Sequence, residues 1–436
     1  MRRTLVLFAL VTTAGANLLQ AQIYFQKKSG EDLAHMIPRL FGPDGLSLPN
    51  QFHTAHFESD FIVQSFTPVN TAIGAQIAAL PFASPGSGFL YDFKPAAGVY
   101  ERSIDSFGPV LTERAETIGR RRLYLGFSTQ YFSFGKVDGI KLNAFPGILR
   151  HEQETGAPYE QDVITTVASI DLKMNQFTAV ATFGLTNHLD ISAAIPVVNA
   201  HLGLVSTAAI QRVAPPDPRF GQAHYFDDKS PDTSTHAVYA MNNNATGIGD
   251  VSIRVKWTAL RGERVALALL GDVRLPTGDA LNLLGSGAPG FHPFAALSYS
   301  TRRLAPHVNL GYQWNGRSVL AGDPNTNRKA NLPDAFTYAA GLDVAATRHL
   351  TFAADLLGQR LFGAMRVVPT TFTDALGRTF PETKLQKASF DLLSGAVGAK
   401  INLTRTLLLS GNVIFRLNNT GLTAPVVPLI GLSWAF

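Results

Sequence analysis

The stretch VVPLIGLSWAF, from Val426 to Phe436, decides the fold. Val426, Pro428, Ile430, Leu432, Trp434 and Phe436 put an apolar side chain at every second position, and successive side chains of a strand point to opposite faces. One whole face is therefore apolar and finishes in aromatics. A sandwich strand hides such a face against a second sheet, whereas the closing strand of an outer-membrane barrel turns it to lipid. The rest of the chain selects between the two.

Working back from that strand, the same period recurs from residue 120 onward. Val251, Ile253, Val255 and Trp257 oppose Asp250, Ser252, Arg254 and Lys256, and Val308, Leu310, Tyr312 and Trp314 oppose His307, Asn309, Gly311 and Gln313. Leu123, Leu125, Phe127 and Tyr131 form one face near 122–135, and Phe336, Tyr338, Leu342 and Val344 another. Short polar turns fall at 186–188, 261–264, 301–305, 346–349 and 403–406. Longer links lie at about 136–161, 206–246, 276–290, 318–334 and 363–387. Short turns on one side and long loops on the other are the asymmetry of outer-membrane barrels, and a sandwich has no need of it. Pairing strands around five short turns and adding the segment near 122–135 and the last strand predicts an all-β, antiparallel transmembrane barrel of 12 strands. Segments at 57–66 and 89–100 would make 14. The run Ile191–Ile210 has no Asp, Glu, Lys or Arg, but Pro196, Asn199 and its period of two assign it to strands rather than to a membrane helix.

Arg2 and Arg3, an apolar run from Leu5 to Val11 and small residues after it form a signal-peptide pattern over residues 1–21, with cleavage expected after Ala16 or Ala21. The mature chain is thus expected in the bacterial outer membrane, where lipid and the barrel assembly machinery are its partners and Trp434 and Phe436 its assembly signal. Only 16% of the residues are charged, against roughly 25% in soluble domains. With no Cys, disulfide scaffolds, thiolate metal sites and thiol catalysis are excluded. A net charge of +5 is too small and too scattered to mark a nucleic-acid surface.

Residues 22–115 differ from the barrel region 116–436. Pro and Gly interrupt them, and two helical patterns stand out. Ser29 and Asp32 resemble a capping box before Leu33, Met36, Ile37 and Leu40, and Asn70 precedes Ile73, Ile77 and Leu80. Such a segment either fills the lumen as a plug or lies in the periplasm and binds a partner. A barrel of this size has a lumen to fill, which favours the plug.

Three stretches resemble the transporter-like outer-membrane β-barrel family named for the meta-cleavage pathway of phenol degradation. They are Gly247-Ile248-Gly249-Asp250-Val251, Arg274-Leu275-Pro276-Thr277-Gly278-Asp279, and Phe183 to Val198. The resemblance spans roughly 120–436. It implies a barrel similar to those that pass fatty acids and aromatic hydrocarbons, and it supplies no catalytic residues. The N-terminal hundred residues depart from the short family forms.

With the aliphatic face toward lipid, the other face lines the lumen. Its charged candidates are Asp171, Lys173, Asp190, Asp250, Arg254, Lys256, Asp272, Arg274, Asp343, Asp355, Lys400 and Arg416. They either orient solutes and hold a plug or pair across neighbouring strands. The expected function is passive passage of small apolar or aromatic solutes, with no catalysis. A barrel that anchors a periplasmic or surface partner is one alternative. A lipid-hydrolysing enzyme is another, and His307 beside Asn309, with Ser298 and Ser300 across a short turn, is the one arrangement that suits it. No Gly-x-Ser-x-Gly elbow accompanies that group, and no His-Glu-x-x-His is present, so neither catalysis nor metal is expected. Gly285, Gly287 and Gly290 lead into a strand rather than a helix, so they hold no dinucleotide or other cofactor and are expected in an exposed loop.

Overall fold

A computed structural model describes residues 23–26, 30–42, 45–49, 56–57, 69–77, 91–94, 99–102, 106–108 and 111–436, the last without 152–155, 219–220 and 405. Twelve antiparallel strands close into one barrel. They are β1 (Leu123–Phe134), β2 (Val163–Gly184), β3 (Leu189–Gln211), β4 (Val251–Arg261), β5 (Val265–Leu275), β6 (Gly290–Tyr299), β7 (Leu304–Asn315), β8 (Ala335–Ala345), β9 (Leu350–Thr373), β10 (Thr379–Asn402), β11 (Leu407–Arg416) and β12 (Val426–Ala435). Each pairs with its sequence neighbour, and β12 returns to β1 through Leu429↔Gln130 to Ala435↔Tyr124. Closure matters physically because hydrocarbon offers no partner to an open strand edge.

The five short turns stand where the sequence places them, all at one end. The 14-strand option is not realised: His56–Phe57 pairs with Leu46–Ser47, and Tyr91–Lys94 pairs with Val99–Arg102, both outside the ring. The proposed signal peptide, Ser29 and Leu80 lie outside the described residues. The first helical pattern is a helix at Leu33–Met36 and the second a helix over 69–77.

The apolar parity faces outward. Phe127, Val255, Trp257, Leu310, Val397 and Ile430 are each 40–58% exposed, while their sequence neighbours point inward. Aromatics gather at both margins of this band. Phe291 stacks on Trp314 at 5.9 Å at the long-loop margin, and Trp257, Tyr299 and Phe436 mark the turn margin. Such girdles sit at the two membrane boundaries of barrels.

Two of the long links are shorter than the sequence suggests. Residues 363–387 continue β9 and β10 with pairs from Ala364↔Ala388 to Thr373↔Thr379, after a bulge at Leu361/Ala364 that Gly363 (φ +57°) permits. Likewise β3 runs to Gln211, and the strand His236–Ile248 returns along it from Ala209↔His236 to Val197↔Ile248. Alternation in these stretches is polar on the outside, because above the lipid band the outer face meets water, so it carries no apolar signature.

The seam is closed at the turn end by the backbone of Phe436, whose N–H donates to Leu123 O at 2.8 Å and whose O accepts from Leu123 N–H at 3.2 Å. Its ring is exposed at the lipid margin. Phe436→Asp should place a charge there and lower the amount of folded barrel in the membrane, read as loss of heat-modifiable gel mobility. Unchanged levels would show that the ring contributes nothing to closure.

Candidate functional site

The lumen has two chemically different halves. From the turn end past mid-strand the inward parity of the strands is ionic. Arg254 and Asp272 are register partners on β4 and β5, and the guanidinium donates to both carboxylate oxygens at 2.6 Å. Lys256, Asp343, Asp355 and Lys400 are buried on the same inner surface, and Asp190 is buried on β3. Arg416 stands apart at the long-loop end of β11, where it reaches Ser394 Oγ at 3.1 Å. At the long-loop end the same parity is apolar. Phe132, Phe134, Leu172, Met174, Leu202 and Leu204 pack in one cluster with Leu33, Met36, Ile37, Phe57 and Ile73.

That inversion corrects two assignments. Asp171 and Lys173 share the outward parity of Phe177 and Phe183 on β2, and they are half-exposed and paired to each other at 2.7 Å. They lie where β2 has risen past the lipid band. There the inner positions are apolar to receive the N-terminal segment and the outer ones are polar to meet water, so polarity no longer reports the lumen face. The other ten candidates do face inward or, for Asp250, brace a loop. Asp250 accepts from Gly278 N–H at 3.1 Å and from Ser286 N–H at 2.7 Å. The loop it holds is exposed only in part: Pro289 is exposed, whereas Leu283, Ser286 and Ala288 are fully buried. At Gly285 a Cβ would meet Asp250 Oδ1 at 2.3 Å, so only glycine fits the braced loop.

Residues 106–108 and 111–118 lie across the turn end of the lumen and supply counter-charges to the wall. Glu113 accepts from Lys256 Nζ at 2.7 Å and also takes Arg254, while Arg114 donates to Asp343 Oδ2 at 3.3 Å. Thr112 Oγ1 donates to Asp355 Oδ1 at 2.8 Å. Backbone N–H groups follow: Ala115 to Ser298 Oγ at 2.9 Å and Ile118 to Asp190 Oδ2 at 2.9 Å. Sequence reasoning missed Thr112, Glu113 and Arg114. The compact run Thr112-Glu113-Arg114-Ala115-Glu116 in a charge-poor stretch was the available signal, but without the fold nothing links it to β4 or β8.

Ser298 and His307 are register partners on β6 and β7, yet they do not form a nucleophile–base pair. Ser298 Oγ is occupied by the Ala115 N–H, and His307 Nε2 meets Thr112 Oγ1 and, at 3.4 Å, Asp355. Among the described residues no group of three or more His, Asp or Glu side chains is arranged to hold a metal.

Between segment and wall lies a cavity of about 200 Å³. Leu111, Phe294 and Leu357 give it apolar surface, and His292, Asn309 and Gln359 give it polar groups. Phe294 is held between the His292 ring, stacked at 4.8 Å, and the Arg254 guanidinium at 5.2 Å. A second cavity of about 90 Å³, walled by Phe132, Phe134, Leu392, Ile414 and Gln76, shares Leu357 and Gln359 with the first. The two cavities thus share part of the inner wall at these side chains.

Residues 155–364 match the model of a family described as "Putative MetA-pathway of phenol degradation". The resemblance read from the sequence is borne out. No curated protein matches the chain. Among solved structures, the chain is similar to the NanC porin, with 9% identity, 71% of this chain and 98% of that chain covered, and a TM-score of 0.35. It is also similar to a Pseudomonas aeruginosa FadL homologue, with 11% identity, 82% and 98% covered, and a TM-score of 0.31. A KdgM porin, solved in complex with disordered oligogalacturonate, shares 7% identity over 72% and 99% of the chains, with a TM-score of 0.31.

Proposed function

We propose that the protein is an outer-membrane channel for passive passage of small solutes with an apolar or aromatic body, its N-terminal segment acting as a plug that leaves a narrow path. The observation that carries this reading is the pair of cavities meeting at Leu357 and Gln359. An apolar cavity of about 150 Å³ holds benzene, so the larger one has room for a single ring. Phe294, Leu111 and Leu357 would receive the ring, and Asn309 or His292 a hydroxyl or similar group. Arg254 is offset by Asp272 and Glu113, which leaves the wall without a preference for anions.

Single-channel recording in planar bilayers tests this. Full-length protein should show a small conductance that benzyl alcohol blocks in a dose-dependent way and glucose does not, and Phe294→Ala should weaken the block several-fold. Conductance equally indifferent to both solutes would overturn the apolar specificity. No conductance in either protein would overturn the channel and favour a barrel that anchors a partner.

A further inference from the structure

The inward positions of β11 run Leu408, Ser410, Asn412, Ile414 and Arg416, so the strand ends on a cation that faces the lumen. Other lumen cations sit beside carboxylates: Arg254 beside Asp272, Lys256 beside Glu113 and Arg114 beside Asp343. Arg416 does not. Its Nη1 donates to the Oγ of Ser394, its register partner on β10, at 3.1 Å, its Nη2 reaches the Thr420 carbonyl only at 3.5 Å, and its buried Nε has no partner. Two acids adjoin the loop after β11, and both are engaged elsewhere. Asp138 accepts from Gly421 N–H at 2.9 Å and pairs with Arg366 at 3.0 Å. Asp391, whose carbonyl takes the Thr420 hydroxyl, pairs with Arg360 at 2.9 Å.

A guanidinium drawn out of water without a counter-charge is costly, and a contact to a hydroxyl does not replace one. An ionisable group kept at membrane depth in that condition marks a ligand. Arg416 lines the cavity of about 90 Å³, whose other walls are mostly apolar: Phe132 and Phe134 of β1, stacked at 6.0 Å, with Leu392, Ile414 and Val427. Gln76, from the helix over 69–77, and Ser394 add neutral polar groups, and among the described residues no acid lines the cavity.

One cation in apolar surroundings suits one negative charge. A phosphate monoester carries more than one, and an alcohol leaves the guanidinium without a counter-charge, whereas a carboxylate offers two oxygens to the planar fork. The volume limits the rest of the ligand. A cavity of about 150 Å³ takes a benzene ring, so one of about 90 Å³ takes a carboxylate on a short aliphatic chain rather than on a ring.

We propose that Arg416 and this cavity form a binding site for short-chain aliphatic monocarboxylates at the long-loop end of the lumen. The guanidinium holds the carboxylate, and the apolar walls receive the chain. The site rests on the reading of the two cavities as a solute path and adds a second solute class to it. Binding is measured without conduction, so either can fail alone.

Saturation-transfer NMR on the full-length protein in a non-ionic detergent would give the dissociation constants of butyrate and 1-butanol, which share a chain length. Butyrate should bind at least about ten-fold more tightly, the gain expected of a hydrogen bond to a charged group, and chloride should compete with it. Arg416→Gln should remove that advantage and leave 1-butanol unchanged. Arg416→Lys, which keeps the charge without the fork, should keep part of it. Heat-modifiable mobility confirms that each variant is folded. Equal affinity of the unaltered protein for the two ligands would overturn the proposal, as would a folded Gln variant with undiminished butyrate affinity. Displacement of butyrate by equal benzoate would overturn the restriction to short chains.

Discussion

Glu113→Lys is expected to open the turn end of the lumen and raise single-channel conductance several-fold. Glu113 is buried between two cations of the wall, Arg254 and Lys256. Removing one member of a buried ion pair costs about 3–5 kcal/mol, because the charge left behind has lost both water and partner. Reversal goes further and sets a third cation beside the two. The other ties of the segment 111–118 are the Arg114–Asp343 ion pair and hydrogen bonds to wall groups that include Ser298, Asp190, Asp355 and Asn309, and a third cation repelled by Arg254 and Lys256 strains all of them. It should therefore leave its seat while the strands, paired along their whole length, stay closed. Glu113→Gln keeps the shape without the charge and should give a smaller rise. Conductance unchanged in Glu113→Lys, with the barrel still heat-modifiable, would mean that the segment does not limit the path.

The second large effect separates the two faces of β4. Ile253→Arg should destabilise the barrel by about 2–4 kcal/mol near mid-membrane, the cost of an arginine held in the lipid band. Ser252→Arg, one residue earlier, points into the cavity beside Asp272 and should be mild. Urea titration of folded protein in vesicles reads the difference directly. Equal losses at the two sites would contradict the face assignment, because a shift of one residue exchanges every side chain between faces.

Much of the barrel was legible because lipid imposes a simple rule. Each outward position across the band must be apolar, and every strand edge must be paired, so period two and the turn asymmetry report strand number without any long-range information. The rule expires where lipid ends. On β2 the candidates Asp171 and Lys173 obey the right polarity and the wrong parity, since water has replaced lipid outside and Leu172 and Met174 have turned inward to meet the N-terminal segment. The tops of β9 and β10 were hidden for the same reason. The Gly285 loop was misjudged because glycine and proline look alike in a solvated turn and in a loop folded over a buried carboxylate.

The sequence by itself determined the class, the twelve strands, the positions of the five short turns and which residues meet lipid between Val251 and Trp257 or Val426 and Phe436, because these follow from nearest neighbours and from a uniform solvent. Only the tertiary structure decided what fills the lumen. Glu113 meets Lys256, Arg114 meets Asp343, and Leu33 joins the same buried cluster as Leu202, across separations of more than a hundred residues. Such pairings depend on where a closed ring brings its inner walls and on the path of a segment with no periodicity of its own, and no local pattern encodes either.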